Sequence, residues 1–160
     1  MSTIFFSGSI SIKSLNAVML QKLDAAMQDE HYIILGDANG VDSCIQEYLV
    51  TKGYTNVMIY VSGANTRNNK GNWVEKHIEV PMNYRGSVFY AEKDKAMARE
   101  ADIGVMFWDG NSIGTWNNII NMIRGGKLAV VCMPSGRVEE IRTIEEAERL
   151  YKSVKFYKLA

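Results

Sequence analysis

Short, solidly apolar runs recur along this chain, each closed by glycine or small polar residues and followed by a stretch of helical periodicity. The runs are Ile4–Phe6, Tyr32–Leu35, Val57–Val61, Ile103–Trp108 and Leu128–Met133. Between them, Leu15, Val18, Met19, Leu23, Ala26 and Met27 recur at helical spacing, as do Val41, Cys44, Ile45, Tyr48 and Leu49. A third amphipathic stretch runs from Ser87, a capping residue type, to about Ala101, and a fourth from Thr115 to Arg124 ends in Gly125-Gly126. Strand-length runs alternating with helices of this length read as βαβ crossovers, which make neighbouring strands parallel. A parallel sheet is covered by helices on both faces, so its strands need no polar alternation. The expectation is therefore an α/β fold: a single doubly wound, Rossmann-like domain over residues 1–160, with a mainly parallel sheet of about five strands flanked by helices. Residues 133–160 are expected to form a C-terminal extension packed on that domain.

Two regions fit the pattern less well. Ser62 to Gly86 is irregular; its "SGANTRNNKGNW" is rich in turn-forming Asn and Gly, and "VEKHIEV" alternates like a short strand before Pro81. The tail "RVEEIRTIEEAERLYKSVKFYKL" reads as a strand, a short Glu-rich helix from Thr143, and a last strand or extended end. Trp73 in the irregular region, and Tyr151 and Tyr157 in the tail, are candidate lid or interface residues.

Charge and cysteine content narrow the functional classes. Eighteen Lys and Arg balance eighteen Asp and Glu, which argues against a nucleic-acid grip. Two cysteines, Cys44 and Cys132, are too few for a disulfide framework, and the reading is free thiols in a reducing cytoplasm. No apolar run approaches the ~20 residues of a membrane helix, and "MSTIFFSGSI" lacks the basic start of a signal peptide. A soluble, cytoplasmic protein without a membrane partner is expected. His31 and His77 lack metal-ligand spacing, so no metal and no cofactor is assigned.

Three glycine-containing polar loops follow apolar runs: Ser7-Gly8-Ser9, Gly36-Asp37-Ala38-Asn39-Gly40, and Asp109 to Gly114. A parallel sheet brings all three to one edge, outside which ligands of such folds sit. Glycine allows close backbone approach, the helix that follows offers unpaired N–H groups, and Ser9, Ser112 and Thr115 supply hydroxyls for phosphate or ribose oxygens. Each loop alone could be a tight connector; convergence of three favours a ligand site. Neither a G-x-G-x-x-G fingerprint nor a Walker A pattern is present, which disfavours a nicotinamide dehydrogenase or a P-loop phosphotransferase.

Three segments, "LGDANGVD" (Leu35 to Asp42), "YAEKDKAMAREAD" (Tyr90 to Asp102) and "FWDGNSIGTWNNII" (Phe107 to Ile120), resemble the SLOG superfamily. This Rossmann-like group includes the Lonely Guy phosphoribohydrolases and small bacterial and phage nucleotide-binding proteins. The first segment looks like the Gly-Gly-Ala-x-Gly-Ala-Asp loop of one branch, and the third like the superfamily's phosphate-binding Gly-Gly-x-Gly-Thr loop. The third is also similar to nucleoside 2-deoxyribosyltransferases. The resemblance spans about Ile4 to Val131 and implies a nucleotide ligand and a homo-oligomer. It also implies a catalytic Glu three positions after the Thr, where this chain has Asn118. An amide cannot act as a general base or carboxylate nucleophile at neutral pH. Whether the chain is an enzyme is therefore left open; if so, Asp109 or Glu92 are the catalytic candidates, with Asp37, Asp42 and Asp94 as further carboxylates.

The expected ligand-binding residues are Gly8, Ser9, Gly36, Asp37, Asn39, Gly40, Asp42, Trp108, Asp109, Gly110, Ser112, Gly114, Thr115 and Asn118. Trp108 and Trp116 bracket the third loop and could sandwich a base. Among Arg85, Lys93, Lys95 and Arg99, Lys93 and Arg99 are candidates to meet a phosphate. The function expected is binding of a nucleotide or nucleotide-derived ligand, ADP-ribose-like or cyclic-nucleotide-like, as a sensor or sequestering protein. The alternative is an N-glycosidase, phosphoribohydrolase or deoxyribosyltransferase acting on nucleotides.

Overall fold

The computed structural model describes residues 1–159, with side chains through residue 155. Its elements in chain order are β1 (Thr3–Gly8), α1 (Ala17–Gln28), β2 (Tyr32–Gly36), α2 (Val41–Thr51), β3 (Val57–Ser62), β4 (Val74–Ile78), α3 (Gly86–Glu100), β5 (Ile103–Phe107), α4 (Ile113–Arg124), β6 (Leu128–Cys132), β7 (Val138–Ile141) and α5 (Ile144–Leu159). The strands form one sheet in the order β4-β3-β2-β1-β5-β6-β7. All neighbours are parallel except β6 and β7.

The α/β class and the mostly parallel sheet agree with the expectation, but among the described residues the sheet has seven strands rather than about five. The two additions are edges. β4 is half-exposed and carries Glu75, Lys76 and His77, so it lacks an apolar run; five register pairs with β3 hold it. β7 reads Val-Glu-Glu-Ile and returns antiparallel after the turn that follows β6. Two further differences concern helix ends. The cap of α3 is Arg85 in extended conformation, with Ser87 inside the first turn. The tail continues as one helix, α5, where a last strand or extended end was expected. Ala147, Leu150, Tyr151 and Val154 recur at helical spacing and pack toward the sheet and α4, which favours uninterrupted helix.

β1 illustrates how the sequence produces the layers. Adjacent Phe5 and Phe6 are both fully buried, because successive strand residues point to opposite faces and both faces are covered. Phe6 joins the core beneath α1 and α2, with Leu23, Ile45 and Leu49. Phe5 joins the core beneath α3, α4 and α5, with Met97, Ile119 and Leu150. From β1 the chain winds outward to β4, then α3 carries it back across to β5 on the other side of β1. β1 and β5 therefore flank the topological switch point, where a crevice opens at the strands' carboxyl ends.

The connection from β3 to β4 contains no helix, although parallel neighbours usually need one. Side chains order it instead. Fully buried Gln46 donates from Nε2 to the Gly36 and Asn68 carbonyls, and its Oε1 accepts from the Lys70 N–H. Asn69 brackets Trp73 through both amide atoms, and the Trp73 indole donates to the Tyr54 carbonyl. Trp73 thus packs on the α1–α2 core. Tyr157, the other aromatic read as an interface candidate beside Tyr151, lies outside the described side chains.

Candidate functional site

A cleft of about 1020 Å³ opens at the switch point and extends between α3 and α4 toward the start of α5. The three loops play different parts in it. After β1, Ser9 is fully buried and works behind the cleft: its N–H donates to the Phe107 carbonyl, and its Oγ accepts from the Asp109 N–H and lies 3.4 Å from Thr115 Oγ1. Gly8 lines the cleft, and a Cβ there would stand 2.6 Å from the Phe107 carbonyl oxygen. β1 and β5 are thereby sewn together at the crevice floor.

After β5, Asp109 organises the third loop. Its Oδ1 accepts from the Asn111 and Ser112 N–H groups at 2.8 and 2.7 Å, and its Oδ2 accepts from the Ser11 hydroxyl at 2.6 Å. Partial burial works against its charge, but these donors prevail and hold the carboxyl below its ordinary range. A carboxylate so engaged is a weak base, and Asp109 does not line the cleft. Gly110 turns the loop at φ 80° against Val154, and the Trp108 indole donates to the Ser112 carbonyl. Trp108 is 1% exposed and stacks on Trp116 at 5.4 Å, which in turn meets Tyr151 at 5.1 Å. The indoles pack on each other rather than leaving a slot between them.

The result is that Ser112, Gly114 and Thr115 present the N-terminus of α4 to the cleft. The first N–H groups of any helix lack intrahelical acceptors and carry the positive end of its dipole. One turn on, Asn118 is 3% exposed; its Nδ2 donates to Ser7 Oγ at 2.8 Å and approaches Asp94 Oδ2 at 3.5 Å. Its Oδ1 has no partner among the described residues. A carboxylate here would face Asp94, whereas the amide gives Asp94 a donor.

The second loop and α3 build the other half of the floor. Lys93 is 4% exposed, and its Nζ donates to Asp94 Oδ1 at 2.8 Å and to the Tyr90 carbonyl. Burial opposes its charge, yet neighbouring Asp94 and Asp42 overcome that and keep it a firm cation. Asp42, in the first turn of α2, is 7% exposed. Its Oδ2 accepts from the Ala38 N–H at 3.2 Å, while its Oδ1 has no partner among the described residues. Burial, only partly offset by Lys93, pushes this carboxyl up to about 7. Gly36 makes room for both groups: a Cβ there would lie 2.8 Å from Asp42 Oδ2 and 2.9 Å from Lys93 Cε.

Asp37, 1% exposed, grips the β3–β4 connection by accepting from the Arg67 backbone N–H and Nη2, both at 2.9 Å. Asn39 Oδ1 accepts from Asn68, and Gly40 adopts φ 78° against the Ile10 backbone.

Of the residues expected to bind, Gly8, Asp42, Ser112, Gly114, Thr115 and Asn118 share the cleft. Ser9, Gly36, Asp37, Asn39, Gly40, Trp108, Asp109 and Gly110 shape it from behind. Glu92 is not a lining residue but pairs with Lys95, which is, and Arg99 sits in the last turn of α3, the end away from the cleft. Ser7 and Arg67 join the lining without having been singled out. Arg67 stands in the Asn-rich irregular stretch, where no periodicity predicts its direction. Among the described residues no group of His, Cys, Asp and Glu is arranged to hold a metal ion, and no helix is long and apolar enough to cross a membrane. No family model matches the chain, and no curated protein matches its sequence.

Proposed function

We propose that this chain binds a nucleotide or nucleotide-derived ligand, of the ADP-ribose or cyclic-nucleotide kind, in the switch-point cleft, and acts as a sensor or sequestering protein. The observation that carries the reading is the division of one cleft into an anion seat and a polar floor. The N-terminus of α4 supplies the seat for phosphate. Ser7, Asn118, Lys93 and the free oxygen of Asp42 supply the floor, with donors and acceptors suited to ribose hydroxyls. The SLOG resemblance points to the same ligand class and to a homo-oligomer, and two free thiols fit a reducing cytoplasm. Titration calorimetry with mononucleotides, cyclic nucleotides and ADP-ribose tests the reading; absence of heat with every member of that set would sink it.

A sharper test uses Gly114→Asp. A Cβ at Gly114 meets nothing within 4 Å, so the fold accepts the side chain. An acid in a helix's first turn stabilises it by about 0.3–1 kcal/mol, and the same charge repels a phosphate. The expected result is an unchanged or raised melting temperature with AMP affinity lowered about ten-fold or more. Unchanged affinity would remove the anion seat from α4.

One observation favours the enzymatic alternative, an N-glycosidase or deoxyribosyltransferase: Asp42 is a buried carboxylate on the cleft floor with its ionisation near neutrality, as a general acid–base group requires. It takes the role for which Asp109 and Glu92 are poorly placed. Free base released from AMP, dCMP or NAD by the wild type, and not by Asp42→Asn, would decide for that reading.

A further inference from the structure

The cleft has a second end. Arg67 sits over Tyr90, with the guanidinium carbon 3.9 Å from the ring centroid, and both residues line the cleft. The arrangement is fixed before any ligand arrives. Asp37 holds Arg67 by side chain and backbone, Asn68 fastens the same segment to the Asp37 carbonyl and Asn39, and Phe89 meets the Tyr90 ring edge-on at 5.1 Å. The Arg67 side chain remains 29% exposed, so the guanidinium is clamped without being covered. A planar cation clamped over an aromatic ring presents, with that ring, a polarisable surface on which another π system stacks.

Position selects the group that reaches it. Arg67 hangs from Asp37 at the end of β2, in the segment that follows β3, whereas the α4 N-terminus follows β5. The order β3-β2-β1-β5 puts two to three strand spacings between them, roughly 10–14 Å. That separation is comparable with the length of a nucleoside monophosphate laid across the floor, phosphate at α4 and sugar over Ser7 and Asn118. We propose that Arg67 and Tyr90 form the nucleobase subsite of this cleft, Arg67 acting as a stacking platform rather than as a phosphate ligand. The inference rests on the nucleotide-binding reading above and adds to it the residues that recognise the base.

The test compares AMP, GMP, CMP and UMP with ribose 5-phosphate, which carries the phosphate and sugar but no base. The wild type is expected to bind at least one monophosphate ten-fold or more tightly than ribose 5-phosphate. Arg67→Lys keeps the charge and loses the plane, and is expected to abolish that preference while leaving ribose 5-phosphate affinity within two-fold. Tyr90→Ala is expected to do the same, with Tyr90→Phe restoring it; thermal melts establish that each variant is folded. Two results would overturn the subsite while sparing the nucleotide reading. One is an Arg67→Lys variant that retains the base preference. The other is an Arg67→Ala variant that loses monophosphates and ribose 5-phosphate equally, the behaviour of a phosphate ligand. A wild type that binds neither monophosphates nor ribose 5-phosphate removes the nucleotide reading and the subsite with it.

Discussion

Asp42→Asn is expected to stabilise the folded protein at pH 8 by about 4 kcal/mol while weakening what the cleft does. The wild-type carboxyl titrates at about 7 in the fold against its ordinary 3.8, so the native state holds this proton over a pH range in which the unfolded chain has released it. Wild-type stability therefore has its full contribution from this group below about pH 4, declines as pH rises toward 7, and levels off above. Asparagine mimics the neutral acid and preserves an acceptor for the Ala38 N–H. The gain over wild type should vanish near pH 4 and reach its full size by about pH 8, because each pH unit separating the native from the unfolded titration is equivalent to about 1.4 kcal/mol. Urea unfolding of both proteins across that range measures it; a difference independent of pH would show that burial does not govern this carboxyl. A fold that retains a buried charge at such expense is consistent with a group kept for its chemistry.

The second large effect is expected at Gly40, where Ala should destabilise by about 3–5 kcal/mol. Its φ of 78° and ψ of −126° lie where residues with a Cβ rarely go. A Cβ would also stand 2.5 Å from the Ile10 carbonyl oxygen and 2.7 Å from the Ile10 Cα, atoms that cannot swing aside. For a chain of this size each kcal/mol lowers the melting point by roughly 2–4 °C, so a fall of about 10 °C or more is expected. Calorimetric melts report it, and a fall of less than about 3 °C would mean that the two loops separate freely. Because Ile10 lines the cleft mouth, the same substitution shifts the first loop away from the second.

The fold was legible wherever a strand is buried on both faces. β1, β2, β3, β5 and β6 announce themselves as apolar runs because helices cover them above and below. β4 and β7 give only weaker signs, the alternation of VEKHIEV and a short run at the start of the tail, since an edge strand half in solvent keeps its Glu, Lys and His and pairing with a neighbour places it in the sheet. The helix expected from Thr143 runs longer than its sequence suggested for a related reason: the apolar positions of α5 matter only once α4 offers a surface to pack on. At the site, glycine loops marked the correct sheet edge but not the division of labour within it. Asp109 and Asp42 both follow a strand and both precede or open a helix, and nothing local separates them. Two backbone donors of its own loop, Asn111 and Ser112, with Ser11 from the first loop, engage Asp109, whereas Asp42 lies beside Lys93, which α3 brings from fifty-one residues away. Arg67 was illegible because its direction is set by Asp37 and Tyr90, thirty residues before it and twenty-three after it.

The two sheet edges bear on how copies of this chain can meet. A two-fold pairing of β7 with itself, centred on the strand, would set Glu139 opposite Glu140 on each side. The same pairing of β4 would set Lys76 against Lys76. Like charges directly opposed across strands are destabilising, and charged edges are a usual defence against strand addition. The sheet thus ends where the chain ends it. A copy approaching either edge in these two-fold registers would therefore meet charge of its own sign before any backbone hydrogen bond could form.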